Sequence, residues 1–368
     1  MKILHVSTFP PTHCGIASYV ANLLTGLKNA DNYYCNMCYS PQENQLYDYQ
    51  ININDIHSYH NAVKNINESD LDLVSIQHEY GIFGGDNGEL VLELLNGIKL
   101  PIVTTLHTVR LDYNKKQKWL LKEICNLSTS LVVLSLTSKQ YLIEKFNIPE
   151  KKIKFIFHGV SDLSFEYSSN IEKYRDTKNQ LIFLTAGHLR PPKGYEISIQ
   201  ALKILLDKKV DCKLLILGTF QQQFEEGKAY FRFLKNFIDD LKLNDNVIWI
   251  DQFIEQSKFY ELIRACDAAI VSYTEPFHNS SGFIPDVLAI GRPVFCTSFE
   301  YANFIKLKTN NCIFISPFSA FSLAQNIIDT YKIYTVQELQ KNAYESSRNW
   351  TWKCVGEEYQ ILFKKYIK

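Results

Sequence analysis

The sequence predicts an α/β protein built from two parallel-sheet domains. Three observations carry this. Short apolar runs of strand length alternate with longer helical stretches along most of the chain, as in βαβ units. The alternation breaks once, in the polar stretch 161–179 (SDLSFEYSSNIEKYRDTKN), and then resumes. Polar or glycine-containing loops recur where strands end, the edge at which open parallel sheets bind ligands.

Length and composition agree. The 368 residues suffice for about two domains of ordinary size. With 46% hydrophobic and 21% charged residues, the chain can bury real cores. Lys+Arg and Asp+Glu both number 39, so a globally basic nucleic-acid binder is not expected. The opening MKILHVSTFPP is too short for a signal-peptide core and reads as a first strand. No apolar run approaches the roughly 18–20 residues of a membrane span. Nine scattered cysteines, an odd number, suit reduced thiols in a cytoplasmic protein. Cys35 and Cys38 have metal and redox spacing but no second pair, and are read as two thiols beside a strand; no metal site is expected.

Lys2–Thr8 is the first strand, followed by the loop Phe9–Gly15 (FPPTHCG) and a helix from Ile16 to Leu27. A glycine between a first strand and a helix is where backbone approaches ligand in doubly wound folds, although the loop lacks G-x-G-x-x-G. Tyr33–Tyr39 is a second strand, and the polar residues 40–60 are read as loops around short strands. Leu71–Ile76 is a strand that opens into Gln77–Gly85 (QHEYGIFGG). There, Gln77, His78 and Glu79 beside Gly81, Gly84 and Gly85 make either a polar pocket edge or a tight connection with a buried His–Glu pair. A helix over Glu89–Leu95 and a strand over Pro101–Leu106 follow, with His107 at the strand's carboxyl end. Arg110–Cys125 reads as a helix. Its Lys115, Lys116, Lys118 and Lys122, near Tyr113 and Trp119, form either a solvated face or a surface for an anionic membrane or acceptor. Leu131–Leu134 (strand), Ser138–Phe146 (helix) and Lys152–Phe157 (strand) complete this half.

Residues 161–179 are read as a linker. The second series runs Leu181–Ala186 (strand), Tyr195–Asp207 (helix), Lys213–Leu217 (strand), Gln223–Leu241 (helix), Val247–Ile250 (strand) and Ser257–Cys266 (helix). Then comes Asp267–Phe295 (DAAIVSYTEPFHNSSGFIPDVLAIGRPVF). Ala268–Val271 is a buried parallel strand, and Thr274–Ser281 is rich in turn and cap residues. Pro285 is tolerated only in a first helical turn, so a helix begins between Ser280 and Ile284; Gly291 and Pro293 end it. Unpaired N–H groups at such a start suit an anion, and Ser280, Ser281 and Gly282 allow close approach; an ordinary capped loop fits as well. Cys312–Ile315 is a strand, Ala320–Tyr331 a helix, and the tail from Thr335 is largely helical. The expected division is 1–165, 180–345, and a terminal helix over 346–368 that either ends the second domain or crosses back to the first.

The loop Gly187–Gly194 (GHLRPPKG) ends a strand and opens a helix. Two glycines frame Arg190, which can fork two phosphate oxygens, and Lys193, a point charge. The pair suits a diphosphate, or is a surface turn with solvated cations.

Together these pieces resemble the family-4 retaining glycosyltransferases of the GT-B fold, over nearly the whole chain. The resemblance rests on the strand–Gly15–helix start, QHEYGIFGG at 77–85, TLHT at 105–108, GHLRPPKG at 187–194 and SSGFIPDVLAIGRPVF at 280–295. Pairing QHEYGIFGG with the later SSG…GRPV resembles a mannosyltransferase-like sub-group. The resemblance implies two Rossmann-like domains facing across a cleft, the first for acceptor and the second for nucleotide sugar. It implies Gly15 beside the donor phosphate and His107 at the transferred sugar. Gly187, Arg190 and Lys193 fall at the diphosphate. Ser281 and Gly282 present amides to the donor, and His278 and Ser280 fall to the same donor site. Gln77, His78, Glu79 and Tyr80 fall to the acceptor. Asp286 stands in for the family's second glutamate, which holds the ribose. The first glutamate has no clean counterpart: His278 lies eight positions before Asp286, and Glu275 is the nearby acid. His188 stands where the family often has Arg, so Arg190 takes that part.

The implied reaction breaks a glycosyl–phosphate bond with retention, and fixed donors aimed at the departing oxygens lower its barrier. Its catalytic residues would be His107, Arg190, Lys193 and Glu275, with no cofactor or metal. The expected partners are a nucleotide sugar (GDP-mannose or a UDP-sugar) and a glycan or lipid-linked acceptor, met in the cytoplasm or at the inner membrane face. The alternatives are a non-catalytic nucleotide-sugar-binding subunit, a sugar-nucleotide epimerase and a dinucleotide oxidoreductase. No carboxylate pair at glycosidase spacing is identifiable.

Overall fold

The computed structural model describes residues 1–12, 14–41, 46–167, 171–219, 225–252 and 254–367. Five sequence readings run into the residues outside these ranges: His13 in the first loop, 42–45 in the polar residues 40–60, 168–170 in the polar stretch, Gln223 and Phe224 at the start of a helix, and Lys368 at the end of the terminal helix. The chain divides into unit 1, Met1–Gly159 with Trp350–Lys368, and unit 2, Val160–Asn349.

Unit 1 holds strands β1 (Lys2–Ser7), β2 (Asp31–Cys38), β3 (Tyr49–Asn52), β4 (Leu73–His78), β5 (Ile102–Leu106), β6 (Ser130–Val133) and β7 (Ile153–Phe155). Helices α1 (Gly15–Gly26), α2 (Ile56–Glu68), α3 (Val91–Gly97), α4 (Lys115–Leu127) and α5 (Leu136–Phe146) connect them. The strands pair in parallel in the order β3-β2-β1-β4-β5-β6-β7, so the chain reverses direction across the sheet between β1 and β4. Alternation within strands sorts side chains onto two faces. Leu4, Val6, Val74 and Ile76 enter one core, and Ile3, Leu73, Val103 and Val132 the other.

One sequence reading changes here. Residues 40–60, expected as loops around short strands, contain the short strand β3 but also the start of α2. α2 buries only Tyr59, Ala62 and Ile66, so its apolar stripe is thin. Asp55 caps it by accepting from His57 N at 3.0 Å.

Unit 2 holds β8 (Leu181–His188), β9 (Cys212–Thr219), β10 (Val247–Ile250), β11 (Ala268–Val271), β12 (Val294–Thr297) and β13 (Ile313–Ser316). Its helices are α6 (Tyr195–Asp207), α7 (Glu225–Asp240), α8 (Gln256–Arg264), α9 (Phe283–Ala289), α10 (Glu300–Lys306), α11 (Ala320–Ile333) and α12 (Val336–Ser347). The order β10-β9-β8-β11-β12-β13, again parallel, reverses between β8 and β11. The stretch 161–179 is not a linker but part of this unit. Ile171 is buried, Arg175 forks Asp267 at 2.7 and 2.8 Å, and Leu163 O accepts from Tyr344 OH at 2.8 Å. The Gly-Arg-Pro turn after α9 also has a structural use. Arg292, fully buried, donates to the carbonyls of Cys266, Glu166, Ile290 and Arg264 at 2.8, 3.0, 2.9 and 2.7 Å.

The chain then returns to unit 1 as α13 (Trp352–Lys364), which packs on α1. Glycines meet at the crossing: a Cβ on Gly26 would lie 1.9 Å from Trp352 O, and one on Gly356 would lie 2.3 Å from Gly26 C. Among the described residues no helix is long and apolar enough to cross a membrane.

A Gly26→Ala substitution tests this crossing. Helix propensity favours alanine by about 1 kcal/mol, but the methyl group meets backbone that no rotamer change can move. Overpacking of this kind outweighs the gain, and a net loss of about 2 kcal/mol is expected as a lower thermal midpoint.

Candidate functional site

In unit 2 the loops after β8 and β11 flank the reversal in strand order, the position where open sheets leave a crevice at their carboxyl edge. The loop after β8 is held from below by Tyr195 OH, which donates to Gly187 O at 2.8 Å. Pro191–Lys193 makes a single 3₁₀ turn, with Lys193 N donating to Arg190 O at 2.9 Å. Gly194 follows at φ +61°, and a Cβ there would sit 2.1 Å from Ser272 O. Only glycine satisfies both constraints. The contact lets Ser272 Oγ donate to Gly194 O at 2.6 Å and Thr274 N to Pro192 O at 3.0 Å, which fastens the loop to the end of β11.

Tyr273 is the centre of the arrangement, and the sequence reading did not single it out. The Lys193 ammonium lies 3.7 Å from its ring centroid. Its hydroxyl is 3.4 Å from Ser281 Oγ, and the His278 ring meets it edge-on at 4.7 Å. His278 Nδ1 in turn lies 3.7 Å from Glu275 Oε2. Ser281 Oγ accepts from Ile284 N at 3.4 Å at the start of α9, and Ser280 is half-buried beside it. The backbone N–H groups of Ser281 and Gly282 have no partner among the described residues. Arg190 is exposed, and neither it nor Lys193 meets a carboxylate among the described residues. Desolvation, then the charges of Arg190 and Lys193, lower the pKa of His188. Two uncompensated cations and two open amides thus share one corner, an arrangement that attracts anions. Asp286, half-buried in the first turn of α9, accepts from Tyr260 OH at 3.4 Å. Burial raises its pKa from 3.8 to about 7, against the Tyr260 hydrogen bond.

Unit 1 collects the remaining candidates where β1, β4 and β5 end. Gly15 opens α1, whose N-cap is Cys14, its Sγ accepting from Ala17 N at 3.3 Å. A Cβ on Gly15, Gly81 or Gly282 would meet nothing within 4 Å among the described residues, so their packing does not require glycine at these positions. His107 Nε2 lies 2.9 Å from Gln77 Oε1, and Tyr19 packs edge-on against its ring at 4.6 Å. Burial, followed by His158 and His78, lowers the His107 pKa to about 3, so the imidazole is neutral at physiological pH.

The four residues of the 77–80 group do not form one cluster. His78 is fully buried on the opposite face from Gln77, stacked on Phe83, with neither ring nitrogen partnered among the described residues. The buried His78–Glu79 pair is absent, because consecutive strand residues point to opposite sides. Glu79 instead accepts from Thr108 Oγ1 at 2.5 Å and Tyr80 N at 3.0 Å, and Tyr80 packs on Tyr113. Among the described residues no group of three or more His, Cys, Asp or Glu could hold a metal ion, and all nine cysteines are free.

The class follows from this fold and site together with the sequence comparisons. The Glycosyl transferases group 1 model matches residues 167–350, and the Glycosyltransferase Family 4 model matches residues 14–162. The chain belongs to the group 1 glycosyl transferase family, with a family 4 N-terminal half and a GT-B fold of two Rossmann-like sheets. An uncharacterized glycosyltransferase of Methanocaldococcus jannaschii is 23% identical over 253 residues, covering 64% of this chain and 60% of that protein. The mannosylfructose-phosphate synthase of Agrobacterium fabrum is 20% identical over 329 residues, covering 82% and 71%. Sucrose-phosphate synthase from Thermosynechococcus elongatus superposes with a TM-score of 0.79 at 14% identity, covering 99% and 98%. Anabaena HepE, solved with UDP and glucose, gives 0.76 at 16%, covering 99% and 100%. At these identities the two structures speak to the fold alone.

The raised Asp286 pKa has a stability consequence with a definite sign. The native carboxyl keeps its proton from about pH 4 to about pH 7, while the unfolded one, near 3.8, loses it. Stability therefore falls as pH rises through that window. Asp286→Asn removes this contribution, so its urea midpoint relative to the parent is expected to improve from pH 4 to pH 8. An unchanged difference would contradict the burial of this carboxyl.

Proposed function

We propose that this protein transfers a sugar from a nucleotide-sugar donor to a hydroxyl of a glycan or lipid-linked acceptor, with the donor diphosphate held in unit 2. The observation that carries this reading is the joining, through Tyr273, of the Arg190/Lys193 turn to the open amides of Ser281 and Gly282. As the glycosyl–phosphate bond breaks, negative charge grows on the departing oxygens. Arg190 forks them, Lys193 adds a point charge from its seat on the Tyr273 ring, and the amides complete the cradle. Gly187 lets the backbone turn beneath the phosphates. Asp286 accepts from the ribose, and Glu275, oriented by His278, serves as the acid on the donor side. His107 contacts the transferred sugar, Gly15 the donor phosphate, and Glu79 and Tyr80 the acceptor side, while the buried Gln77 acts through His107. No metal is required for this division of labour.

Mannose from GDP-mannose, moved with retention, is the finer reading, supported by the sub-group resemblance of the 77–85 and 280–295 motifs. Screening GDP, UDP and their sugars by thermal stabilisation tests it. Ligand at about 100 times its dissociation constant adds about 2.7 kcal/mol of stability. Arg190→Ala and Lys193→Ala are each expected to lower turnover by about 100- to 1,000-fold, the usual cost of losing one preorganised donor. Normal turnover in both would refute the assigned diphosphate site. Donor consumed without acceptor would favour an epimerase.

The exposed face of α4, with Lys115, Lys118 and Lys122 around a Trp119 that is 51% exposed, supports peripheral binding to an anionic membrane. Lys116 takes no part, being paired with Glu89 at 2.6 Å. Liposome flotation is expected to depend on anionic lipid and to weaken in a Lys115→Gln/Lys118→Gln/Lys122→Gln variant.

A further inference from the structure

Gln77 and His107 stand at the ends of neighbouring parallel strands, with Gln77 in register with Thr105. An amide oxygen only accepts, so the Nε2 that faces Gln77 Oε1 at 2.9 Å carries the ring proton. The neutral imidazole then has its lone pair on Nδ1. His107 is 7% exposed, and Nδ1 is not among the sealed, unpartnered atoms of this unit. The ring cannot readily turn over: Tyr19 packs edge-on against it, and the His107 backbone N donates to His78 O at 3.1 Å.

The amide orientation has its own support. Gln77 is fully buried, and its Nε2 has no partner among the described residues. Three more sealed and unpartnered atoms lie at adjoining positions on the same sheet face: Ser7 Oγ, Ser75 Oγ and His5 Nδ1. Register pairs His5 with Ser75, and Val6 with Ile76, which brings Ser7 beside Gln77. His5 Nε2 is 2.9 Å from Asn32 Oδ1, so it is the protonated nitrogen and Nδ1 accepts. The strip therefore offers acceptors to an amide NH₂, and internal water is the usual bridge between such sealed groups. An amide turned the other way would set its oxygen, which only accepts, towards a strip in which His5 Nδ1 also only accepts.

We propose that Gln77 is a positioning residue that locks His107 as the Nε2–H tautomer, so that Nδ1 accepts a hydrogen bond from one hydroxyl of the transferred sugar. The part concerning the sugar rests on the function proposed above; the tautomer does not. The strip of His5, Ser7 and Ser75, bridged by internal water, keeps the amide in the required orientation. A sugar without the matching hydroxyl leaves Nδ1 unpaired once donor covers it and is discriminated against.

Long-range ¹H–¹⁵N correlation on histidine-labelled protein reads the tautomer directly, with His107→Gln identifying the signal. The expected pattern is Nε2–H. Gln77→Glu keeps it, because a carboxylate also only accepts, whereas Gln77→Leu gives a mixture. With donor and acceptor, Gln77→Leu is expected to lower kcat/KM about tenfold, mainly through KM, with Gln77→Glu recovering part of the loss. Unmodified protein should be sensitive to removal of one sugar hydroxyl in a deoxy-donor series, and Gln77→Leu should lose that sensitivity. An Nδ1–H pattern in the unmodified protein overturns the proposal, as does an unaltered tautomer in Gln77→Leu. Should Gln77→Leu fail to fold, the unmodified protein and Gln77→Glu still decide the tautomer. If no transfer activity exists, the spectra still decide the tautomer, and only the sugar contact falls.

Discussion

The candidate site of unit 2 depends on a close approach of two backbones. Gly194 lies so near Ser272 O that a Cβ would fall 2.1 Å from it, and its φ of +61° already disfavours other residues. Only at that separation does Ser272 Oγ reach Gly194 O, while also lying 2.8 Å from Ser198 Oγ on α6. One hydroxyl thereby fixes the loop after β8, the end of β11 and the first turns of α6. Each hydrogen bond contributes only about 1 kcal/mol, but a backbone clash has no rotamer through which to relax. The position of Lys193 over Tyr273, and through Tyr273 its closeness to Ser281, follows from this contact.

The way the protein treats its other cations gives Arg190 and Lys193 their meaning. Arg175 is forked to Asp267, Lys213 is paired with Asp176, and the buried Arg292 is surrounded by carbonyls. Burying a charge without such partners is costly. Among the described residues, Lys193 meets the face of an aromatic ring, worth about 0.5–2 kcal/mol, and neither it nor Arg190 meets an acidic side chain. Like Lys115, Lys118 and Lys122 of α4 they are charge left available, but these two lie at the end of a strand beside the topological reversal of the sheet.

Unit 1 organises polarity by strand parity. On one face of its sheet β1, β4 and β5 carry Leu4, Val6, Val74 and Ile76 into an apolar core. On the other, His5, Ser7, Ser75, Gln77 and Thr105 follow one another towards the carboxyl edge beneath Tyr19 and Tyr359. The same parity divides the QHE motif, sending Gln77 to His107 and His78 into the opposite core. A motif contiguous in sequence thus serves two separate environments.

The amino-acid sequence alone determined the alternation of strands and helices, the polar loops at the strand ends, the close of α9 at Gly291, and the order of motifs that marks the family. All of these are local: they follow from periodicity, from the φ freedom of glycine and from proline's missing donor. Tertiary structure decided what depends on distant partners. The stretch around Arg175 looked like a linker because its partner, Asp267, lies 92 residues away, and a polar residue with a buried partner reads like a solvated one. α2 and the seven-residue α10 escaped notice because one buries a thin stripe and the other is short. Tyr273 carried no signal beyond its place at a strand end, since its importance comes from Lys193, Ser281 and His278 converging on it. Strand parity and register, which no single segment contains, separated Gln77 from His78 and set Gln77 against His107.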